Sequence, residues 1–257
     1  MISLKTSKEL HLMRQGGRIG AEVLDELIEM VRPGLTTLEI EKKAEELLSK
    51  NNTQPAFKNY SPDSSNKKYP AALCVSVNDE LVHGIPSKRI LADGDIITLD
   101  LGVYYKGYYT DMAKTIGVGE ISNRDKKLIT VTREALITAI ENLKDRIRLG
   151  DISFLIQKII EDQGFSVIRD CVGHGIGKEI HEEPSVPNFG KPGTGILLKS
   201  GMTLAIEPMA SAGSPNLKVK DDGWTITTAD RSQSAHFEDT IAIEKNGYQV
   251  LTALIKP

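Results

Sequence analysis

The chain has 257 residues, 40% of them apolar and 26% charged, with a formal net charge of −3. That balance is ordinary for a globular protein of one large domain or two small ones, and without dense Lys/Arg blocks it argues against a dedicated nucleic-acid surface or a polybasic membrane anchor. No segment has the apolar length of a signal peptide or a membrane span, and Cys74 and Cys171 stand in no metal-finger spacing, so the sequence reads as a cytoplasmic protein with two reduced thiols.

Taken in order, Thr6-Ser-Lys-Glu9 fits a capping box, and Leu10, Met13, Leu24, Leu27 and Val31 keep helical spacing until Arg32-Pro33-Gly34 stops the run. Thr36-Thr-Leu-Glu39 caps a second helix, with Ile40, Ala44, Leu47 and Leu48 on its buried side, ending at Asn51-Asn52. The polar stretch Asn59 to Lys68 reads as a loop, and Ala72 to Asn78 as a strand leading to His83-Gly84-Ile85-Pro86.

Asp95 to Val118 then reads as two long strands folded back at Lys106-Gly107, because apolar, aromatic and β-branched residues fill both runs and glycine supplies the turn. Pairing Tyr105 with Tyr108 places Asp100 opposite Ala113, with Asp111 as its diagonal neighbour on the same face, roughly 7–8 Å away at the backbone. Two carboxylates then share one space and can converge on a cation. Alone, such a pair reads as the polar face of a hairpin. The rest of the chain changes that reading.

Beyond Gly119 the pattern begins again. Ser122 caps a helix carrying Leu128, Ile129, Ala135, Leu136, Ala139, Ile140 and Leu143, expected to end near Arg148-Leu149-Gly150, and a shorter helix runs from Ile152 to about Asp162. Arg148-Leu-Gly150 repeats Arg32-Pro-Gly34, and the repeat continues into polar residues. His83-Gly-Ile recurs as His174-Gly-Ile, the segment ending in Asp100 recurs as the one ending in Glu207, and Asp111-Met-Ala-Lys-Thr-Ile recurs as Glu238-Asp-Thr-Ile-Ala-Ile. Neither helix-helix-sheet unit can bury its sheet alone. The expectation is therefore an α+β fold in a single domain, residues 1–257, with pseudo-symmetric halves of about 1–120 and 121–257.

Asp100, Asp111, Glu207 and Glu238 together carry four negative charges that an apolar interior tolerates only when cations neutralise them. Four carboxylates with the imidazole of His174 suit two divalent ions such as Mn, Fe, Co or Zn, without choosing among them. Paired ions of this kind activate water and polarise a carbonyl, which is hydrolytic chemistry.

The strings His83-Gly-Ile-Pro, Asp100 with Asp111, Gly173-His174-Gly-Ile-Gly followed by His181-Glu-Glu-Pro, Ala205-Ile-Glu207-Pro-Met and Ala235-His-Phe-Glu238 resemble, in this order and spacing, type I methionine aminopeptidase. The resemblance covers nearly the whole chain. It implies the pita-bread fold, two pseudo-symmetric halves around a dinuclear metal site, and an enzyme that removes the N-terminal methionine from nascent proteins and peptides whose second residue is small. By resemblance, a metal-bound hydroxide attacks the scissile carbonyl. Asp111 and Glu238 bridge the two metals, Asp100 chelates one, and His174 and Glu207 hold the other. Glu207 also shuttles the proton to the leaving amine, His181 hydrogen-bonds the carbonyl, and His83 contacts the nitrogen side of the bond.

Tyr69, Cys74 and Trp224 match residues of the methionine pocket, and Ile180 stands there where an aromatic is common. Tyr60 is a further candidate for that wall by resemblance, its match left open by an insertion within Ser61 to Lys68, a loop expected at the pocket rim. Asn78 and Ser234 match positions around a monovalent cation. The partners implied are a peptide or nascent-chain N-terminus, with transient ribosome association, no membrane and a monomeric state. The rivals are a proline-directed peptidase of the same fold, and a binding module of that fold that has lost catalysis; loss of metal ligands would mark the latter, and all five are present.

Overall fold

The structure, a computed structural model, describes residues 2–62 and 67–254. Helix α1 spans Ser7–Met30, and Thr6 and Glu9 form the capping box that starts it: the Glu9 carboxylate accepts the Thr6 N–H at 2.7 Å while the Thr6 hydroxyl accepts the Glu9 N–H. Helix α2, Thr37–Lys50, begins the same way on Thr36 and Glu39. Helix α3 spans Asn123–Glu141 and is capped by Ser122. It stops earlier than the apolar spacing suggests. The Asn142 side chain donates to the Thr138 carbonyl at 2.8 Å, and Arg146 turns the chain at φ 67°. Helix α4 therefore begins sooner than expected, at Leu149, and runs to Asp162.

The expected hairpin register is present, with Tyr105 opposite Tyr108 and Asp100 opposite Ala113. Each long arm is nevertheless two short strands. Ile96–Asp100 pairs with Cys74–Val77 on one side and Ala113–Gly117 on the other, whereas Val103–Tyr105 and Tyr108–Thr110 join Gln54–Pro55 in a separate sheet. Two contacts account for the break. The Gly102 carbonyl accepts the Ala56 N–H at 2.9 Å, and the Asp111 N–H donates to the Thr240 hydroxyl at 2.8 Å, so both groups bond to other segments.

A five-stranded sheet orders Glu182–Val186, Gly173–Gly175, Thr203–Ile206, Asp239–Glu244 and Gly247–Val250. It meets the Cys74–Ile96–Ala113 sheet where Ala113 and Glu238 exchange backbone hydrogen bonds of 3.2 and 2.9 Å. Asp100 thus ends one strand and Asp111 precedes its partner, just as Glu207 follows Thr203–Ile206 and Glu238 precedes Asp239–Glu244. One core packs α1 and α2 on the first sheet through Leu24, Leu27, Ile40, Leu73, Ile97 and Leu99; another packs α3 and α4 on the second through Leu128, Leu136, Ile152, Ile156, Leu204 and Ile241. Each such side chain contributes about 1.5–3 kcal/mol of burial, which holds the strand ends in place.

Candidate metal centre and active-site cavity

The four acids reach one space from the strand ends. Thr240 holds Asp111 by accepting its N–H and donating to its carbonyl, both at 2.8 Å, and the antiparallel bridge to Ala113 fixes Glu238. His174 sits in the strand Gly173–Gly175, opposite Ala205, and its Nδ1 lies 2.9 Å from the Gly175 carbonyl, which leaves Nε2 facing Glu207 Oε1 at 3.6 Å. A proton on Nδ1 makes Nε2 a lone-pair donor.

Among the described residues, two groups of three bring possible ligand atoms within 4.8 Å of one another. They are Asp111, His174 and Glu238, and Glu207, His236 and Glu238. Glu238 belongs to both. Asp100 stands beside them, close enough to Asp111 and Cys74 to hydrogen-bond, and lines the same cavity.

Burial sets the electrostatics. It raises the carboxyl of Asp100 to about 7, and it pushes those of Asp111, Glu207 and Glu238 well above the carboxylate range, aided by the charges of their neighbours. Burial likewise lowers His174 and His236 to about 3, so both imidazoles are neutral. Asp100 Oδ1, Glu238 Oε1 and both ring nitrogens of His236 are buried without a hydrogen-bond partner among the described residues. Converging carboxylates with unmet oxygens and neutral imidazoles fit divalent cations: the oxygens carry the charge that a cation neutralises, and the imidazoles offer lone pairs.

The acids form one end of a cavity of about 440 Å³. Tyr69, Cys74, Phe57 and Trp224 line its apolar side, with Tyr69 and Trp224 edge to face at 5.3 Å. The Tyr69 hydroxyl donates to the Gly84 carbonyl at 2.8 Å and so ties the pocket wall to the residue after His83. His83 keeps an open edge toward the cavity, yet protein crowds its other sides and pushes its imidazole downward. His181 stacks edge-on against His174 at 4.4 Å, and Tyr60 and Pro62 complete the rim.

Ile180 is not among the lining residues. The chain bends over residues 177–181, and there His181 faces the cavity while Ile180 is buried at 4% exposure. The centre of the inserted loop, residues 63–66, lies outside the described residues; of the loop Ser61 to Lys68, Pro62 lines the cavity. Asn78 and Ser234 adjoin one another, the Ser234 hydroxyl donating to the Asn78 carbonyl at 3.1 Å.

His236, Cys171, Asp170 and Val172 line the cavity although sequence reasoning did not single them out. His236 carried a readable signal. It stands two residues before Glu238 in an extended run, the spacing that returns a side chain to the same face.

The model of metallopeptidase family M24 matches residues 11–245. The methionine aminopeptidase of Clostridium perfringens is 49% identical over 254 residues, covering 99% of this chain and 100% of that protein. Methionine aminopeptidase 1 of Bacillus subtilis is 46% identical, over 98% of this chain and 99% of its own. The crystal structure of a methionine aminopeptidase from Thermotoga maritima superposes with a TM-score of 0.95 at 48% identity, covering 99% of this chain and 100% of that one. The architecture is accordingly the pita-bread fold.

Proposed function

The chain belongs to metallopeptidase family M24, and from its 49% and 46% identity over nearly the full length of two methionine aminopeptidases we infer that it releases the N-terminal methionine of peptides and nascent chains. The observation that carries this reading is the junction of two features in one cavity: acids and imidazoles clustered around Glu238, and an apolar slot walled by Tyr69, Cys74 and Trp224. The slot suits an unbranched thioether, and the acids suit a free amine held at a fixed distance.

Asp111 and Glu238 would span two divalent ions, Asp100 would complete one, and His174 with Glu207 the other. When bound, such ions supply Lewis acidity toward water and the scissile carbonyl; Mn, Fe, Co and Zn all suit the donors. Water adds to the carbonyl carbon as the C–N bond breaks, and Glu207 accepts the proton of that water and hands it to the departing nitrogen. His181 donates to the carbonyl oxygen as charge develops on it, and His83 contacts the nitrogen side of the bond. A small second residue is expected because the acids and His181 crowd that side.

Residues 1–257 form, in this reading, one catalytic domain of two pseudo-symmetric halves. It acts as a cytoplasmic monomer that meets nascent chains through transient ribosome association, with Asn78 and Ser234 beside a monovalent cation. No described helix is long and apolar enough to cross a membrane.

The test compares kcat/KM for Met-Ala-Ser, Met-Lys-Ser, Leu-Ala-Ser and Ala-Pro on enzyme stripped of metal and reloaded with each divalent ion in turn. Met-Ala-Ser should lead, Leu-Ala-Ser should trail by roughly 10–200-fold, and Met-Lys-Ser should be nearly inert. Preference for Ala-Pro would instead identify a proline-directed peptidase, and inertness toward every peptide with every ion a binding module.

A further inference from the structure

His236 is sealed from solvent at 1% exposure, and its backbone is fixed on both sides by the Thr115 hydroxyl, which accepts its N–H and donates to its carbonyl, each at 2.8 Å. The ring itself has no hydrogen-bond partner at either nitrogen among the described residues. A neutral imidazole carries one N–H and one lone pair, and an interior that leaves both unmet is one in which something else completes them.

What faces the ring says what that is. Nε2 lies 3.7 Å from Glu207 Oε2 and 3.7 Å from Glu238 Oε2, too far for a hydrogen bond to either. Three atoms bound to one cation at about 2.1 Å, at angles between octahedral and trigonal, stand roughly 3.0–3.7 Å apart. The spacing of His174 Nε2 from Glu207 Oε1 is 3.6 Å. His236 thus stands to one oxygen of Glu207 as His174 stands to the other.

We propose that His236 is a further protein ligand of the metal centre, binding a cation through Nε2 together with Glu207 and Glu238. The proposal rests on the reading of the acid cluster as a metal centre and deepens it. A second imidazole changes the donor set in a definite direction. Carboxylate-rich sites suit Mn, whereas each added imidazole favours Fe, Co and Zn. His236 is therefore a residue that sets which ion the centre prefers.

The experiment loads the full chain with Co(II) and counts solvent-exchangeable, hyperfine-shifted ring N–H resonances in its proton spectrum. Ligation by His174 and His236 predicts two in the wild type and one in His236→Gln, and the wild-type count stands whether or not the variant folds. In parallel, competitive titration should show the Co(II)-over-Mn(II) affinity ratio of His236→Gln falling about tenfold, the scale on which single groups around a metal act. One shifted ring N–H in the wild type, or an unchanged affinity ratio in a folded variant, overturns the role of His236 and leaves the metal centre standing. No shifted resonance at all overturns both.

Discussion

The phenolic oxygen of Tyr60 lies 2.7 Å from Nδ1 of His181, and the two rings meet edge to face at 5.2 Å. When that hydroxyl donates to Nδ1, the ring proton resides on Nε2, and His181 is in the tautomer that donates to a carbonyl oxygen. Burial holds its imidazole below the usual range, so near neutral pH the donor is an uncharged N–H. His181→Ala should lower kcat by roughly 10²–10³ with metal content unchanged. Tyr60→Phe should act in the same direction by about tenfold, through orientation alone. An unchanged kcat alongside a lowered melting temperature in His181→Ala would assign the ring a structural role.

The turn that carries His181 is pinned from the other side by an ion pair. Lys5 reaches the Glu182 carboxylate with side-chain exposures of 3% and 14%, and Glu182 also accepts the Lys178 N–H at 2.7 Å. Removing one partner of a buried pair leaves an uncompensated charge. Lys5→Met should cost about 3–5 kcal/mol in urea unfolding, and adding Glu182→Gln should recover part of it. Equal stability of Lys5→Met and wild type would show that water already solvates this pair.

Glu9 allows a pH test remote from the cavity. The Thr6 backbone N–H, then the Thr6 hydroxyl and the Tyr108 hydroxyl, hold its carboxyl down at about 2 from an ordinary 4.5. A carboxyl lowered by folding stabilises the native state above its unfolded value, and that contribution is lost as pH falls from about 4.5 toward 2. Glu9→Gln should destabilise by about 1 kcal/mol at pH 7, with the gap to wild type closing below pH 4. Melting curves across that range check the sign. A gap that widened in acid would contradict it.

How much of this was legible in the residues depends on whether the cause was local. The capping boxes at Thr6 and Thr36 need only four consecutive residues each, and both helix starts stand where those residues put them. The pairing of Asp100 with Ala113 follows from a turn and a period of two, so the shared face of the acids was readable. The break of each hairpin arm was not, because it comes from Ala56 drawing the Gly102 carbonyl and from Thr240 drawing the Asp111 N–H, contacts between segments far apart in sequence. The placement of Ile180 behind the cavity lining was hidden for a related reason. Its neighbour His181 faces the cavity, and only the bend between them, set by tertiary packing, decides which of the two does so. A histidine in an apolar strand reads as core, and nothing in the string Ala-His-Phe-Glu says that the ring of His236 lacks a partner.

The backbone and the side chain of Asp111 do separable work. Thr240 holds the backbone through two hydrogen bonds, whereas the carboxylate accepts the Met112 N–H at 3.0 Å, lies within hydrogen-bonding reach of Asp100 and turns to the cluster with His174 and Glu238. Asp111→Asn keeps the volume and one acceptor oxygen while removing the charge. In the metal-free protein that should be neutral or stabilising, since burial and the charge of Asp100 already disfavour the ionised form. In the loaded protein, on the proposed assignment of Asp111, a ligand shared by both ions is gone. Bound divalent metal should fall below two equivalents, and turnover of Met-Ala-Ser should drop more than about 100-fold, beyond the 10–100-fold that loss of a supporting partner costs. Calorimetry with and without chelator, alongside metal analysis, separates the two effects. A variant that binds two ions and turns over normally would remove Asp111 from the centre, and one that melts early even without metal would make its role structural.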